Sequence, residues 1–311
     1  MPIFAMFCDR NLAGCVWSAL DCLSQNPSLP VLALNRNYCI ISDFHLGDGS
    51  LADNFAKNRD IAEDMLKYYS NSGYYLIING DFEELWQFSC ESVRREYHDF
   101  LLLLSTLFRD KIIRIYGNHD ASAPPAGLYP GIIIRDKKAG KPILITHGHL
   151  GSRESDLYSW FSRLCVRLFR FFEPFCIKIG IIHPPVFKRY AYRHKFEYIH
   201  ESWARERGFR IICGHSHRAV FASRSYYDKL KEARRHNPNS SQRFTIFLSL
   251  MKEIIRHRNV SFKGKPEGVY FNCGCGLYKR GITALEIQGV TIRLVKWEKR
   301  GRKVYGKMKL S

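Results

Sequence analysis

The sequence predicts an α/β fold assembled from βαβ units, and three observations carry that reading. Short apolar runs that suit fully buried strands alternate with amphipathic helical stretches through short connections. Five of these runs stop abruptly at a metal-competent side chain. Finally, 46% of the 311 residues are apolar, ample for one large core or for a core with an appended cap. In open α/β sheets, ligands sit beyond the carboxyl ends of the strands, so the five tips are expected to converge.

Residues 1–36 read as a lead-in segment: a short helix over 11–24, then the connector Asn26-Pro27-Ser28-Leu29-Pro30. No chemistry is assigned to them. The run 38–41 forms the first buried strand and ends at Asp43-Phe44-His45. Residues 53–69 read as a helix with Ile61, Met65 and Tyr68 on one face. A second strand, 74–79, leads to Gly80-Asp81. A second helix, from about 92 to 108, contains four consecutive leucines suited to burial against a sheet. Strand 112–116 runs into Gly117-Asn118-His119-Asp120, strand 142–146 into His147-Gly148-His149, and strand 209–213 into Gly214-His215-Ser216-His217.

Two insertions interrupt this pattern. The first, about 150–208, reads as a helical cap. Arg163, Arg167 and Arg170 share one face there, and Trp160, Leu164, Leu168, Phe171 and Phe175 line much of the rest. Its second half interleaves aromatic and basic residues: Tyr190, Tyr192, Arg193, Lys195, Phe196, Tyr198, Trp203 and Arg205. The second insertion, 225–265, is basic and partly helical. Alternating strand patterns at 268–272, 281–287 and 290–297 then close a domain expected to span 37–298, and 299–311 reads as a basic tail.

Charge divides unevenly. Residues 1–150 hold 14 Lys+Arg against 17 Asp+Glu, a net of −3, whereas residues 151–311 hold 34 against 12, a net of +22. The first half carries most of the carboxylates a metal centre needs. The second would attract an anion: a phosphorylated substrate, a phospholipid surface or a nucleic acid. None of the ten cysteines forms a C-x-x-C pair, the N-terminus lacks a basic signal-peptide start, and no apolar run reaches the length of a membrane span. Reduced thiols and a cytoplasmic location are therefore expected, with peripheral contact at the inner face of the membrane through the basic, aromatic cap.

The strand-tip residues supply Asp, His and Asn but no Cys. Such nitrogen and oxygen donors suit two divalent ions, Mn first, with Fe or Zn as alternatives, and disfavour a thiolate zinc site. A bridging carboxylate would hold the pair about 3.5–4 Å apart, the spacing of two-metal hydrolytic centres that sharpen a shared water and clamp phosphoryl oxygens. Other neighbours are weaker candidates. His149 is as easily a loop residue, Asn54 and Lys57 could meet phosphate at a helix start, Arg153 and Arg218 adjoin ligand positions, and Cys273 and Cys275 read as small buried residues.

The ordered blocks D-x-H, G-D, G-N-H-D, H-G-H and G-H-S-H resemble the calcineurin-like metallophosphoesterase superfamily over roughly residues 38–218. That resemblance implies a four-layer α/β/β/α sandwich. It also implies that Asp43, His45, Asp81 and His217 hold one metal, with Asp81 bridging to a second completed by Asn118, His147 and His215. His119 would be the catalytic histidine, oriented by Asp120, and a metal-bridging hydroxide would attack a phosphoester or pyrophosphate. Gly80-Asp81-Phe82-Glu83-Glu84-Leu85-Trp86 is further similar to the G-D-x-x-E-x-W pattern of the UDP-2,3-diacylglucosamine hydrolase branch, although the best-known enzymes of that branch have Arg where this chain has His119. The implied substrate is a UDP-linked acylated sugar or a similar lipid or nucleotide phosphoester. The alternatives are a nuclease, with Tyr190, Tyr192, Phe196 and Trp203 as stacking platforms, and a non-catalytic scaffold.

Overall fold

A computed structural model describes residues 12–120, 127–135, 140–152, 155–156, 159–169, 190–223, 268–279 and 281–310. The expected insertion 225–265, the cap residues Arg170, Phe171 and Phe175, and Arg153 lie outside the described residues. So do the side chains of Leu168, Tyr190, Tyr192 and Arg193.

Two sheets pack face to face with helices outside each, giving the expected four layers. In chain order the described elements are α1 (Leu12–Ser24), β1 (Val31–Ala33), β2 (Tyr38–Ile41), α2 (Arg59–Asn71), β3 (Tyr75–Asn79), α3 (Cys90–Glu96), α4 (His98–Phe108), β4 (Ile112–Ile115), β5 (Leu128–Tyr129), β6 (Ile132–Arg135) and β7 (Ile143–Ile145). They continue with α5 (Ser159–Phe169), α6 (Tyr190–Glu206), β8 (Arg210–Cys213), β9 (Ala219–Val220), β10 (Tyr270–Cys273), β11 (Ile282–Gln288), β12 (Thr291–Glu298) and β13 (Gly301–Lys309). One sheet has the order β1-β6-β7-β8-β10-β9 and the other β13-β12-β11-β2-β3-β4-β5.

Period-two alternation sorts each strand between two cores. Tyr38, Ile40 and Ile77 of one sheet meet Ile143, Ile145, Ile212 and Phe271 of the other between the layers. Cys39, Ile41, Leu76 and Ile78 point the other way, onto Ile61, Met65 and Leu66 of α2 and Phe100, Leu104 and Phe108 of α4. The strands therefore read as continuous apolar runs because both faces are covered. The expected 92–108 helix is two helices parted at Tyr97, whose hydroxyl donates to Asp53 Oδ2 at 2.7 Å.

Three boundaries differ from those expected. The lead-in segment belongs to the sandwich. Leu12, Val16, Leu20 and Leu23 form one apolar stripe of α1 against the outer face of the first sheet, and β1 pairs with β6. Arg207 pairs with Asp21 at 2.8 Å and holds its carboxyl down at about 2. In the second half of the expected cap, α6 packs on the core. Phe196, Ile199 and Trp203 recur at helical spacing and are buried beside α1, so Phe196 and Trp203 present no stacking platform. Lastly, the basic tail forms the edge strand β13. Arg302 clasps Glu286 of β11 through two contacts of 2.6 Å, and Met308 and Leu310 turn into the inter-sheet core. Its alternating lysines hid that strand from sequence, and charged edges of this kind discourage pairing with other chains.

Buried His200 on α6 makes the sandwich acid-sensitive. Burial pushes its pKa from 6.5 down to about 4, while Nδ1 keeps a 2.8 Å contact with the carbonyl oxygen of Phe196. The folded chain holds this ring neutral, so its contribution is complete above about pH 6.5 and is lost as pH falls toward 4, by about 3 kcal/mol. Urea unfolding across that range is expected to find His200→Asn less acid-sensitive than the wild-type chain by that margin. Parallel pH profiles for the two chains would rule this out.

Candidate metal centre

All five expected blocks meet at the carboxyl ends of β2, β3, β4, β7 and β8, with Asp43, His45, Asp81 and Asn118 from one sheet and His147, His215 and His217 from the other. The parallel pairing of β2 with β3 and of β3 with β4 sets three tips side by side, and parallel β7 and β8 do the same across the interface. Three groups of ligand atoms result, each within 4.8 Å internally: His45, Glu84 and His119 adjoin two buried groups, with Asp43, His45, Asp81 and His217 in one and Asp81, His147 and His215 in the other. Asp81 belongs to both.

Strained backbone aims these side chains. Asp43, His45, Asp81, His215 and His217 have φ between 50° and 62°, a left-handed conformation that costs an L-residue roughly 1–2 kcal/mol. The glycines of the blocks make room for one another. A Cβ on Gly80 would overlap the His147 ring, one on Gly117 would overlap Asp81, and one on Gly214 would overlap Ser42 and Asp43. Of these three, Gly80 has positive φ (80°), and Gly117 and Gly214 are required by close approach.

The donor set demands positive charge. His45 Nδ1 lies 2.7 Å from Glu84 Oε2, and His147 Nδ1 lies 2.8 Å from the Asn79 carbonyl oxygen. Because both acceptors require an N–H, the lone pair of each ring falls on Nε2. His45 Nε2 then faces His217 Nε2 at 3.1 Å, and His147 Nε2 faces Asp81 Oδ2 at 3.0 Å. Asp43 Oδ1, 3.0 Å from His217 Nε2, makes no hydrogen bond among the described residues; neither does His147 Nε2 or either amide atom of Asn118. Lone pairs so opposed need a proton or a cation between them, and buried polar atoms without partners are costly. The protonation equilibria express the same demand. Burial raises Asp43 and Asp81, but facing imidazoles outweigh it and hold both below the usual carboxylate range. Burial lowers His147, yet Asp81 and Asp43 raise it to about 9. The residues present therefore fit a pair of divalent ions.

His119 is placed by neighbours other than the one expected. The orienting role assigned to Asp120 is corrected. Its carboxylate accepts from the backbone N–H groups of Asp81, Phe82, Glu83 and Gly117 at 2.6–3.0 Å and thereby knits two blocks together. Glu84 Oε1 contacts His119 Nδ1 at 2.6 Å instead, and Trp86 stacks on the ring at 4.2 Å. Burial raises Glu84, but His119 and His45 hold it ionised at about 2. The sequence signal for Glu84 was its place three residues after Asp81.

The remaining candidates separate. His149 is buried against Tyr116, His147 and His215. Asn54 lines an open cleft with Glu84, Gln87, Phe88 and Leu277 beside His45, His119 and His217. Lys57 sits exposed on the turn before α2. Arg218 pairs with buried Glu197 of α6 at 3.0 Å, and Glu197 also accepts from Ser216 Oγ at 2.7 Å. Cys273 and Cys275 are buried thiols outside the ligand groups found among the described residues.

Glu197→Ala removes the carboxylate that Ser216 and Arg218 share beside His215 and His217. It is expected to cost ~1.5–3 kcal/mol in denaturant unfolding, the usual worth of hydrogen bonds to a buried charged group. A loss under about 1 kcal/mol would separate α6 from the stability of this loop.

A two-sheet α/β sandwich with paired His/Asp ligand groups around one shared carboxylate belongs to the metal-dependent phosphoester hydrolases. The chain is a member of the calcineurin-like phosphoesterase family, whose pattern it matches over residues 37–219. Among solved structures it is similar to a dimetal phosphatase from Danio rerio, with 9% identity, 89% of this chain and 99% of that chain covered, and a TM-score of 0.39. It is also similar to a cold-active protein-tyrosine phosphatase of a psychrophile Shewanella sp., with 12% identity, coverage of 89% and 82%, and a TM-score of 0.38. At these scores neither likeness carries an argument about this chain. No curated protein matches it in sequence. Among the described residues, no helix is long and apolar enough to cross a membrane.

Proposed function

We propose that the chain hydrolyses the pyrophosphate bond of a lipid-bearing nucleotide sugar, an acylated UDP-sugar in type. The observation that carries the hydrolytic reading is the pair of ligand groups sharing Asp81. Asp43, His45, Asp81 and His217 would hold one ion, and Asp81, Asn118, His147 and His215 the other. When bound, two divalent ions supply Lewis-acid stabilisation of phosphoryl oxygens and a lowered pKa for water.

His119 borders the cleft with Nδ1 fixed by Glu84, so Nε2 is its remaining donor position. There it would stabilise charge on the phosphoryl group or protonate the leaving oxygen. Glu84 keeps one proton on His119 Nδ1 and another on His45 Nδ1, and Trp86 excludes water from one face of the His119 ring.

Two observations support the substrate. The run 80–86 fits the G-D-x-x-E-x-W pattern of the branch that cleaves such pyrophosphates. On α5, Trp160 (63% exposed) and Leu164 (49%) share the helix with Arg163 and Arg167, an amphipathic arrangement suited to an acyl chain or an anionic leaflet. Burial of Phe196 and Trp203 weighs against the nucleic-acid reading.

The test is Mn-dependent hydrolysis of a diacylated UDP-sugar, bis-p-nitrophenyl phosphate and single-stranded DNA in one preparation of measured metal content. Two ions per chain with preference for the acylated UDP-sugar is the expected result. Preference for DNA, or for the simple diester over the lipid, would overturn the substrate assignment.

A further inference from the structure

A segment outside all five strand-tip blocks holds two members of one ligand group, Asp43 and His217. After β10 the chain runs through Gly274-Cys275-Gly276-Leu277-Tyr278. The Gly276 N–H donates to the Asp43 carbonyl oxygen at 3.0 Å, and a Cβ at Gly276 would press on Phe44, between Asp43 and His45. Two residues on, the Tyr278 hydroxyl donates to the His217 carbonyl oxygen at 2.8 Å and accepts from the Ala219 N–H at 3.2 Å. Asp43 and His217 are both left-handed, with φ of 55° each, so their backbones require outside support. The segment is itself buckled down by Asn58, 1% exposed, whose Nδ2 donates to the carbonyl oxygens of Gly276 (2.7 Å) and Tyr278 (2.9 Å).

We infer that Tyr278 and Asn58 are positioning residues for a single half of the dinuclear centre, the half made by Asp43, His45, Asp81 and His217. This inference rests on the dinuclear reading above. The Tyr278 hydroxyl bridges the backbone on both sides of Arg218 and fixes the direction in which His217 leaves the chain. The Gly276 N–H does the same for Asp43 through its carbonyl oxygen. The contacts of the other half run elsewhere: His147 is held by the Asn79 carbonyl oxygen, and the His215 N–H donates to the Asp43 carboxylate at 2.9 Å. Partners that orient ligands from outside the coordination shell typically change metal affinity about 10–100-fold. Here the change falls on one ion, so Tyr278→Phe weakens one site of the centre and spares the other.

The experiment is equilibrium dialysis of chelator-treated chain against Mn, with bound metal counted per chain and the melting temperature of the metal-free chain measured alongside. Wild type is expected to bind two ions. Tyr278→Phe and Asn58→Leu are expected to keep one ion at near wild-type affinity and to weaken the other by at least about tenfold. Adding His215→Ala to Tyr278→Phe should remove the remaining ion, and adding His217→Ala should not. Tyr69→Phe deletes a buried hydroxyl, 2.6 Å from Glu286, and should lower the melting temperature while keeping both ions. Equal weakening of both ions in Tyr278→Phe, no weakening, or loss of an ion in Tyr69→Phe overturns the inference. Fewer than two ions in wild type overturns the dinuclear reading and takes the inference with it.

Discussion

Asp81→Asn is expected to bind neither ion tightly and to lose hydrolysis by roughly 10³-fold or more, the equivalent of several kcal/mol of transition-state stabilisation. The chain should nevertheless stay folded. Asp81 is the carboxylate common to both ligand groups, so its loss weakens two sites where any other ligand's loss weakens one. Its backbone N–H still donates to Asp120, and β3 still pairs with β2 and β4. The amide of Asn also keeps an oxygen for the His119 N–H, which now meets Asp81 Oδ1 at 2.8 Å. Circular dichroism should report a native fold beside a metal count near zero. A variant with two ions and activity within about tenfold of wild type would sink the shared-carboxylate assignment.

The second large effect separates chemistry from metal binding. His119→Gln is expected to lower kcat by about 10²–10⁴, the usual worth of a positioned acid or base, with metal content unchanged. Glu84→Gln should do both kinds of damage. A carboxylate accepts from two imidazoles at once, from His45 at 2.7 Å and His119 at 2.6 Å. A primary amide has one acceptor oxygen and an NH₂ group, so one of the two rings must give up its Nδ1 proton or its partner. Glu84→Gln therefore lowers kcat and weakens the ion held by His45, by about 10–100-fold. Metal counts and steady-state kinetics on both variants decide it. Metal loss in His119→Gln equal to that in Glu84→Gln would make His119 a ligand and end its assignment as the catalytic group.

The centre was legible because its residues obey a local rule, each lying just past a short apolar run. The four-layer arrangement came from the family resemblance, and the continuous burial of 38–41, 76–79 and 143–145, with alternate residues in opposite cores, agrees with it. What stayed hidden depends on long-range contact. Glu84 is an ordinary loop carboxylate until His45 and His119 close on it. Asp120, next to His119 in sequence, looks like its partner, but its oxygens are taken by backbone from two blocks. The apolar face of α6 reads as cap or core with equal ease until α1 arrives to cover it. Residues 301–309 carry a strand's alternation beneath a density of lysine and arginine that suggests a tail.

The division of ligands between the two sheets has a consequence for how long the protein lasts in a cell. Under the assignment above, each ion takes donors from β2, β3 or β4 on one side and from β7 or β8 on the other, so it fastens the two layers of the sandwich together. Ions that bind only the closed sandwich add about 1.4 kcal/mol of stability per site for every tenfold rise in free metal above the dissociation constant. Metal starvation would then withdraw the fasteners and raise the fraction of chains open to proteolysis before any catalytic group is altered. The abundance of this chain, as well as its rate, would follow the supply of divalent metal.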